Sequence, residues 1–174
     1  MFNQDYQLAV ESYNTLFAIL SKLKDVQFTL ILTGTLNLKI RGICDREIKD
    51  IDFIVRVFEK DQIPKVVEIL KEWSRLYPVS QVAEMKYPNE EYKQVSFKIG
   101  NSKTFDIFII DSGEPFAEFP NHINPNYPFY LSLPERIFAS KFHFDPNKTL
   151  KDLTLYFAKL YALDVKKVEN NIVF

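Results

Sequence analysis

The sequence predicts an α/β (α+β) fold: a mixed β-sheet flanked by helices, with further helices at the C-terminus. Three observations carry this expectation. Leu30-Ile-Leu-Thr-Gly34-Thr35 through Lys49-Asp50-Ile-Asp52-Phe-Ile-Val55 reads as strand, Gly-Thr turn, short helix, strand. Tyr92 to Ile99 alternates polar and apolar residues, and after Gly100-Asn101-Ser102 a second run, Thr104 to Ile110, follows as its hairpin partner. Two long stretches, near the start and near the end, repeat apolar residues at helical spacing.

Taken in order, Tyr6 to Lys24 reads as an amphipathic helix with Ala9, Tyr13, Leu16, Phe17, Leu20 and Leu23 on its apolar face. Phe28 to Leu32 is the first strand, Gly34 to Ile43 a short helix, and Gly42 to Arg46 a loop. Asp50 to Val57 is the second strand. Asp61 is placed to cap a helix that carries Val66, Ile69, Leu70, Trp73 and Leu76 on one face, ending before Pro78. Val79 to Lys86 reads as a strand and Tyr87 to Glu91 as a turn. In the alternating run, Val95, Phe97 and Ile99 point inward. From Asp111 to Pro128 the chain is rich in Pro and Asn and reads as a long loop whose aromatic residues pack it down. Pro134 suits the first turn of a helix through Lys141. Asp145 to Lys148 reads as a turn, Thr149 as the cap of a helix from Leu150 to Leu163, and Val165 to Phe174 as a frayed end. The expected division is a core of residues 1–132 and a C-terminal helical segment, 133–174, packed on it.

The chain of 174 residues is long enough for one domain with a real core. Hydrophobic residues at 47% and aromatics at 15% argue against disorder. A net charge of −1 and a pI near 6.2 show no overall basic bias, so nucleic-acid binding would need a local patch. Cys44 is alone, which rules out an intrachain disulfide and favours a reducing compartment. With no His near it in sequence, it reads as an inert thiol and not a nucleophile. The start, Met-Phe-Asn-Gln-Asp, lacks a basic region and an apolar region of the signal-peptide kind, and no run suits a membrane span. The expectation is a cytoplasmic protein without a membrane partner.

Candidate chemistry centres on three acids. Side chains on a strand alternate faces, so Asp50 and Asp52 project to one side. Two carboxylates there repel and lose hydration, and a divalent cation between them removes that cost. Asp106, inside the apolar run Phe105-Asp-Ile-Phe-Ile-Ile110, needs a partner, and the same cation is a candidate. Gly34-Thr35, between a strand and a helix, is placed to offer backbone N–H groups to phosphate. A lone Asp-x-Asp is common at strand ends, and the Gly-Thr turn before it and the strand acid after it make the set more specific. His122 and His143 lack ligand spacing. Arg46, Lys49 and Lys141 read first as exposed charges. Lys148, Lys151, Lys159, Lys166 and Lys167 form either a solvated face or a patch for RNA.

These parts resemble the nucleotidyltransferase superfamily with polymerase-beta-like folds. The resemblance rests on Thr33-Gly34-Thr35, Asp50-Ile51-Asp52-Phe53 and Phe105-Asp106-Ile107 and covers most of the chain. Thr35 stands where Ser or Gly is usual, and the fourteen residues between Thr35 and Asp50 make a long gap. Within the superfamily the chain looks closest to the small bacterial branch that includes the AbiEii-type toxins. Arg46-Glu-Ile-Lys49-Asp50-Ile-Asp52 is similar to that branch's Arg-x-Thr-x-Asp-x-Asp run, with Ile48 for Thr. Leu133 to Lys141 and Lys151-Asp152-Leu153 look like its later helix and helix start, but the second Asp expected after Asp152 is absent. The resemblance implies Mg²⁺ or Mn²⁺ held by Asp50, Asp52 and Asp106. It implies a nucleoside triphosphate met by Gly34, Thr35, Arg46, Lys49 and Lys141, and transfer of a nucleoside monophosphate to a hydroxyl of RNA, protein or a small molecule. It also brings an antitoxin partner into view. Two other readings stay open: a degenerate fold that binds or regulates, and a nucleotide-sugar glycosyltransferase, against which the small size counts.

Overall fold

The structure is a computed structural model that describes residues 4–77, 80–86, 93–100, 103–111, 118–119 and 129–161. The turn expected at 87–91, most of the expected loop at 111–128 with His122, and the chain after residue 161 lie outside the described residues, as does the side chain of His143.

Helix α1 (Gln4–Leu20) leads into β1 (Phe28–Thr33), α2 (Gly34–Ile40) and β2 (Asp50–Val57). A short 3₁₀ turn (Lys60–Gln62) precedes α3 (Ile63–Ser74). Strands β3 (Ser80–Lys86), β4 (Lys93–Ile99) and β5 (Thr104–Asp111) follow, then β6 (Glu118–Phe119) and β7 (Tyr130–Ser132), and finally α4 (Pro134–Phe144) and α5 (Pro146–Tyr161). Among the described residues the strands form one sheet in the order β3-β4-β5-β2-β1-β7-β6. It is mixed, as expected: β1 runs antiparallel to β2, while β5 joins β2 in parallel after the crossover through α3. The two-residue β6 and three-residue β7 are too short for periodicity to reveal.

The odd-numbered residues of β2 build the core. Ile51, Phe53, Val55 and Val57 are buried against Ala9, Leu16 and Leu20 of α1 and Val66, Leu70 and Trp73 of α3. The even-numbered residues, Asp50 and Asp52 among them, take the opposite face. Two expected core residues fall elsewhere. Phe17 is 44% exposed and lies at the edge of its helix face, stacked on Tyr13 and near Phe28. Leu76 is 76% exposed, because α3 ends at Ser74 and the periodic face does not extend to it.

Two expected caps are also corrected. Asp61 lies within the 3₁₀ turn, and α3 starts after it with Gln62 as its cap position and no side-chain capping bond. Thr149 is not the cap of the last helix but a residue of its first turns, its Oγ1 donating to the Asp145 carbonyl at 2.6 Å. Asp145 does the capping. Its Oδ1 accepts from the backbone N–H of Lys148 at 3.2 Å, and Pro146 then occupies the position where a missing N–H costs nothing. The stretch read as a turn is therefore the first turn of α5.

Asp145→Ala should lower unfolding free energy by about 1 kcal/mol through the lost cap, measured by denaturant titration. An unchanged midpoint would show that α5 does not begin there.

Candidate active site

Register brings the acids together. Asp52 pairs with Asp106 across the parallel β2–β5 ladder, and Asp50 pairs with Thr104 two residues earlier. Cross-strand partners share a face, so all three expected acids lie on the side of the sheet away from α1 and α3. On its other flank Asp52 pairs with Thr33, the last residue of β1. Gly34 follows with φ +71, and a Cβ at that position would overlap the Asp52 carboxylate. Glycine is required there twice over, for the left-handed backbone and for the close approach of the acid.

A polar clamp fixes the Gly34-Thr35 turn. Asn37 is fully buried in α2, and its Nδ2 donates to the carbonyls of Leu32 at 2.7 Å and Ser132 at 3.1 Å. Arg41 donates to Asn37 Oδ1 at 2.9 Å and to the Ser132 carbonyl at 3.1 Å. These bonds tie α2 to the ends of β1 and β7. Thr33, at the cap position of α2, makes no side-chain capping bond, so it takes up none of the first-turn N–H groups.

The acids experience one another. Asp106 and Asp52 lie within reach of a shared proton, which one of the two carboxyls must carry for them to bond. Burial, and after it the charges of Asp106 and Asp50, pushes the Asp52 carboxyl up to about 8, while Lys141 and Lys98 pull it down. Asp106 is raised by burial and then by Asp50. Asp50 has partners of its own: its Oδ1 accepts from Thr104 Oγ1 at 2.6 Å and lies 3.8 Å from Lys98 Nζ. Among the described residues no three His, Cys, Asp or Glu side chains are gathered as a metal-binding group. The all-oxygen donor set of Asp50, Asp52 and Asp106 nevertheless suits Mg²⁺ or Mn²⁺, and its charge needs neutralising.

On the other flank sit the cations. Lys141 of α4 donates from Nζ to Thr35 Oγ1 at 2.9 Å. It also lies 3.9 Å from Asp152 Oδ2. Arg46 donates to that same Asp152 oxygen. Asp152 is 1% exposed, and its other oxygen, like Arg46 Nε, has no hydrogen-bond partner among the described residues. Burial and the neighbouring Arg46 hold the Lys141 ammonium below its ordinary value, against the pull of Asp152 and Asp52. A cleft of about 490 Å³ opens between these groups, lined by Gly34, Thr35, Asp50 and Asp52 and by Arg46, Lys49, Lys141 and Lys148, with Glu47 the one acid among the latter.

All the nucleotide-site candidates named from the sequence thus border one cleft, and Asp106 stands beside Asp52 behind it. Lys98, Thr104, Asp152 and Asn37 had no assigned role. The first two follow from hairpin and strand register, a signal present in the alternation of β4 and β5. Arg46 and Asp152 are 106 residues apart, and spacing cannot join them. Cys44 is buried and its Sγ accepts from the Arg46 N–H at 3.4 Å, in keeping with a structural thiol.

No protein-family model matches the chain, and no curated protein is significantly similar to it. Among solved structures, similar chains include terminal uridylyl transferase 4 from Trypanosoma brucei. With bound CTP it aligns at a TM-score of 0.39 and 15% identity over 57% of this chain and 33% of that one. With bound UPU the values are 0.39, 15%, 57% and 34%. With bound GTP they are 0.39, 14%, 59% and 34%. The chain therefore spans about a third of the length of those proteins. No helix among the described residues is long and apolar enough to cross a membrane.

The Asp52 carboxyl gives a pH test. Its value is near 3.8 when unperturbed and about 8 in the fold, so between those limits the native state holds a proton that the unfolded state has lost. Without divalent cation, stability relative to Asp52→Asn should fall as pH rises through that window and level off above it. Mg²⁺ should stabilise most at the alkaline end, where the carboxylate is free to bind it. Denaturant titrations in chelator at pH 5.5, 7 and 8.5 check this; a pH-independent difference from Asp52→Asn would contradict it.

Proposed function

We propose that the chain is a metal-dependent nucleotidyltransferase that moves a nucleoside monophosphate from a nucleoside triphosphate to a hydroxyl. The observation that carries the reading is the Asp52–Asp106 pair lying beneath Gly34-Thr35 with Lys141 bonded to Thr35. One flank of this arrangement is acidic and the other is cationic in net charge, as a triphosphate bridged to a cation requires.

Asp50, Asp52 and Asp106 would hold Mg²⁺ or Mn²⁺. Bound there, such cations neutralise phosphate charge and stabilise attacking and leaving oxygens. The Gly34 and Thr35 backbone offers donors to the β- and γ-phosphates, and Lys141 and Arg46 add positive charge over them. Asp152 sets the position of both cations from beneath the cleft. Lys49 and Lys148 stand at its rim. Asp106 orients the acceptor hydroxyl and receives its proton. The oxygen forms a bond to the α-phosphorus, the bond from that phosphorus to the bridging oxygen breaks, and pyrophosphate leaves. The acceptor class is a hydroxyl of RNA, protein or a small molecule, and the resemblance to AbiEii-type toxins extends the reading to a toxin held by an antitoxin protein.

One observation favours a second reading, a degenerate fold that binds nucleotide without turnover: Asp50 is already engaged by Thr104 and Lys98. Turnover separates the two readings. With Mg²⁺, labelled triphosphates and bacterial RNA or lysate protein, label should pass from the α-phosphate and not from the γ-phosphate. Asp106→Asn should cut transfer by about a hundredfold or more while nucleotide still binds, as expected for loss of a proton acceptor. Lys141→Ala should mainly raise KM, since its contact exists in ground and transition states alike. Transfer of γ-label, or α-label transfer unchanged in Asp106→Asn, would overturn the assignment; nucleotide binding with no transfer would favour the degenerate fold.

A further inference from the structure

Lys98 stands on the far side of the acids from Lys141. The antiparallel β4–β5 register sets it beside Asp106, so that Lys98, Asp106, Asp52 and Thr33 form one row across four strands. Its Nζ lies 3.8 Å from Asp50 Oδ1, with Thr104 holding the same oxygen. Neither Lys98 nor Asp106 lines the cleft. The lysine thus serves the acid row from the side away from the nucleotide's expected seat. Its side chain is 44% exposed and that of Asp50 is 40% exposed. An ion pair in that setting is weak and readily exchanged. A fixed buried lysine could not yield its place.

Charge decides what this arrangement does. Three ionised carboxylates carry three negative charges. With Lys141 taken up by Thr35 and Asp152, and with the proton between Asp52 and Asp106 displaced by the metal, one divalent ion together with Lys98 offsets them. Two divalent ions together with Lys98 leave an excess of positive charge, unless a triphosphate brings its own negative charge with it. We propose that Lys98 is the site's built-in cation, holding Asp50 so that the nucleotide-free chain takes one divalent ion and the second enters only with nucleotide. The inference rests on the nucleotidyl-transfer reading of the acid row and adds to it the residue that sets metal occupancy.

The test is Mn²⁺ binding to the nucleotide-free chain, followed by the paramagnetic resonance of free Mn²⁺ and by calorimetry. Wild type should bind one ion per chain. Lys98→Met and Lys98→Gln should bind a second ion, or the first roughly tenfold more tightly, once a neighbouring positive charge is gone. Lys98→Arg keeps the charge and should behave as wild type. Melting curves of each variant establish that it is folded, and two neutral variants guard against the failure of one. Two equivalent ions in wild type would overturn the proposal. So would neutral variants whose affinity and stoichiometry match wild type while Asp52→Asn loses the ion, which would leave the acid site standing. Wild type that binds no Mn²⁺ at all would overturn the acid-site reading together with it.

Discussion

The parallel register of β2 on β5 sets Asp52 directly beside Asp106, and most of what is particular to this chain answers that juxtaposition. Two like charges at neighbouring positions on one sheet face repel, and burial takes away the water that would screen them. The fold tolerates the pair because each flank supplies a response. On one side Gly34 has no side chain, so the Asp52 carboxylate can rest against the turn. On the other, Lys98 approaches Asp50 from β4 and Thr104 donates to the same Asp50 oxygen. A site assembled at such electrostatic cost, next to an open cleft, is the pattern expected where charge is put to chemical use.

The cationic flank comes from a different part of the chain and is tied down just as firmly. Asp152 sits in α5, more than a hundred residues beyond Arg46, and gathers both Arg46 and Lys141 with one oxygen. A buried carboxylate paired with two cations contributes little net stability, since desolvation offsets the attraction. What it does supply is position: Lys141 is held against Thr35 and Arg46 at the cleft wall. The Asn37–Arg41 clamp does the same for the turn from below. Helices α4 and α5 therefore bear directly on the site, because their ion pairs form one of its walls.

Local chemistry made much of this readable in the sequence. Alternation along β2 placed Asp50 and Asp52 on one face, and an apolar run around a single acid marked Asp106 as needing a partner. The mixed sheet followed from a hairpin joined to a strand–turn–helix–strand unit. What escaped the reading depends on distance or on a boundary. Lys98 looked like an ordinary outward residue of an alternating strand, and only its register against β5 reveals the acids beside it. Asp152 stood out only as part of a helix start, because that helix was expected to begin at Leu150. With Asp145 as the cap, Asp152 lies two turns in, on the same buried stripe as Thr149. The contact with Arg46 belongs to tertiary packing and leaves no trace in local spacing.

The central claim is that the acid pair and the lysine-lined cleft form one site for a cation-bridged triphosphate. The most direct measurement is an anomalous difference map from crystals soaked with Mn²⁺ and a non-hydrolysable nucleoside triphosphate. The account predicts an anomalous peak within liganding distance of the Asp52 carboxylate, with the triphosphate lying between Gly34-Thr35 and Lys141. A nucleotide bound elsewhere on the chain, or one in the cleft with its phosphates turned away from Asp52 and no peak beside that carboxylate, would contradict it.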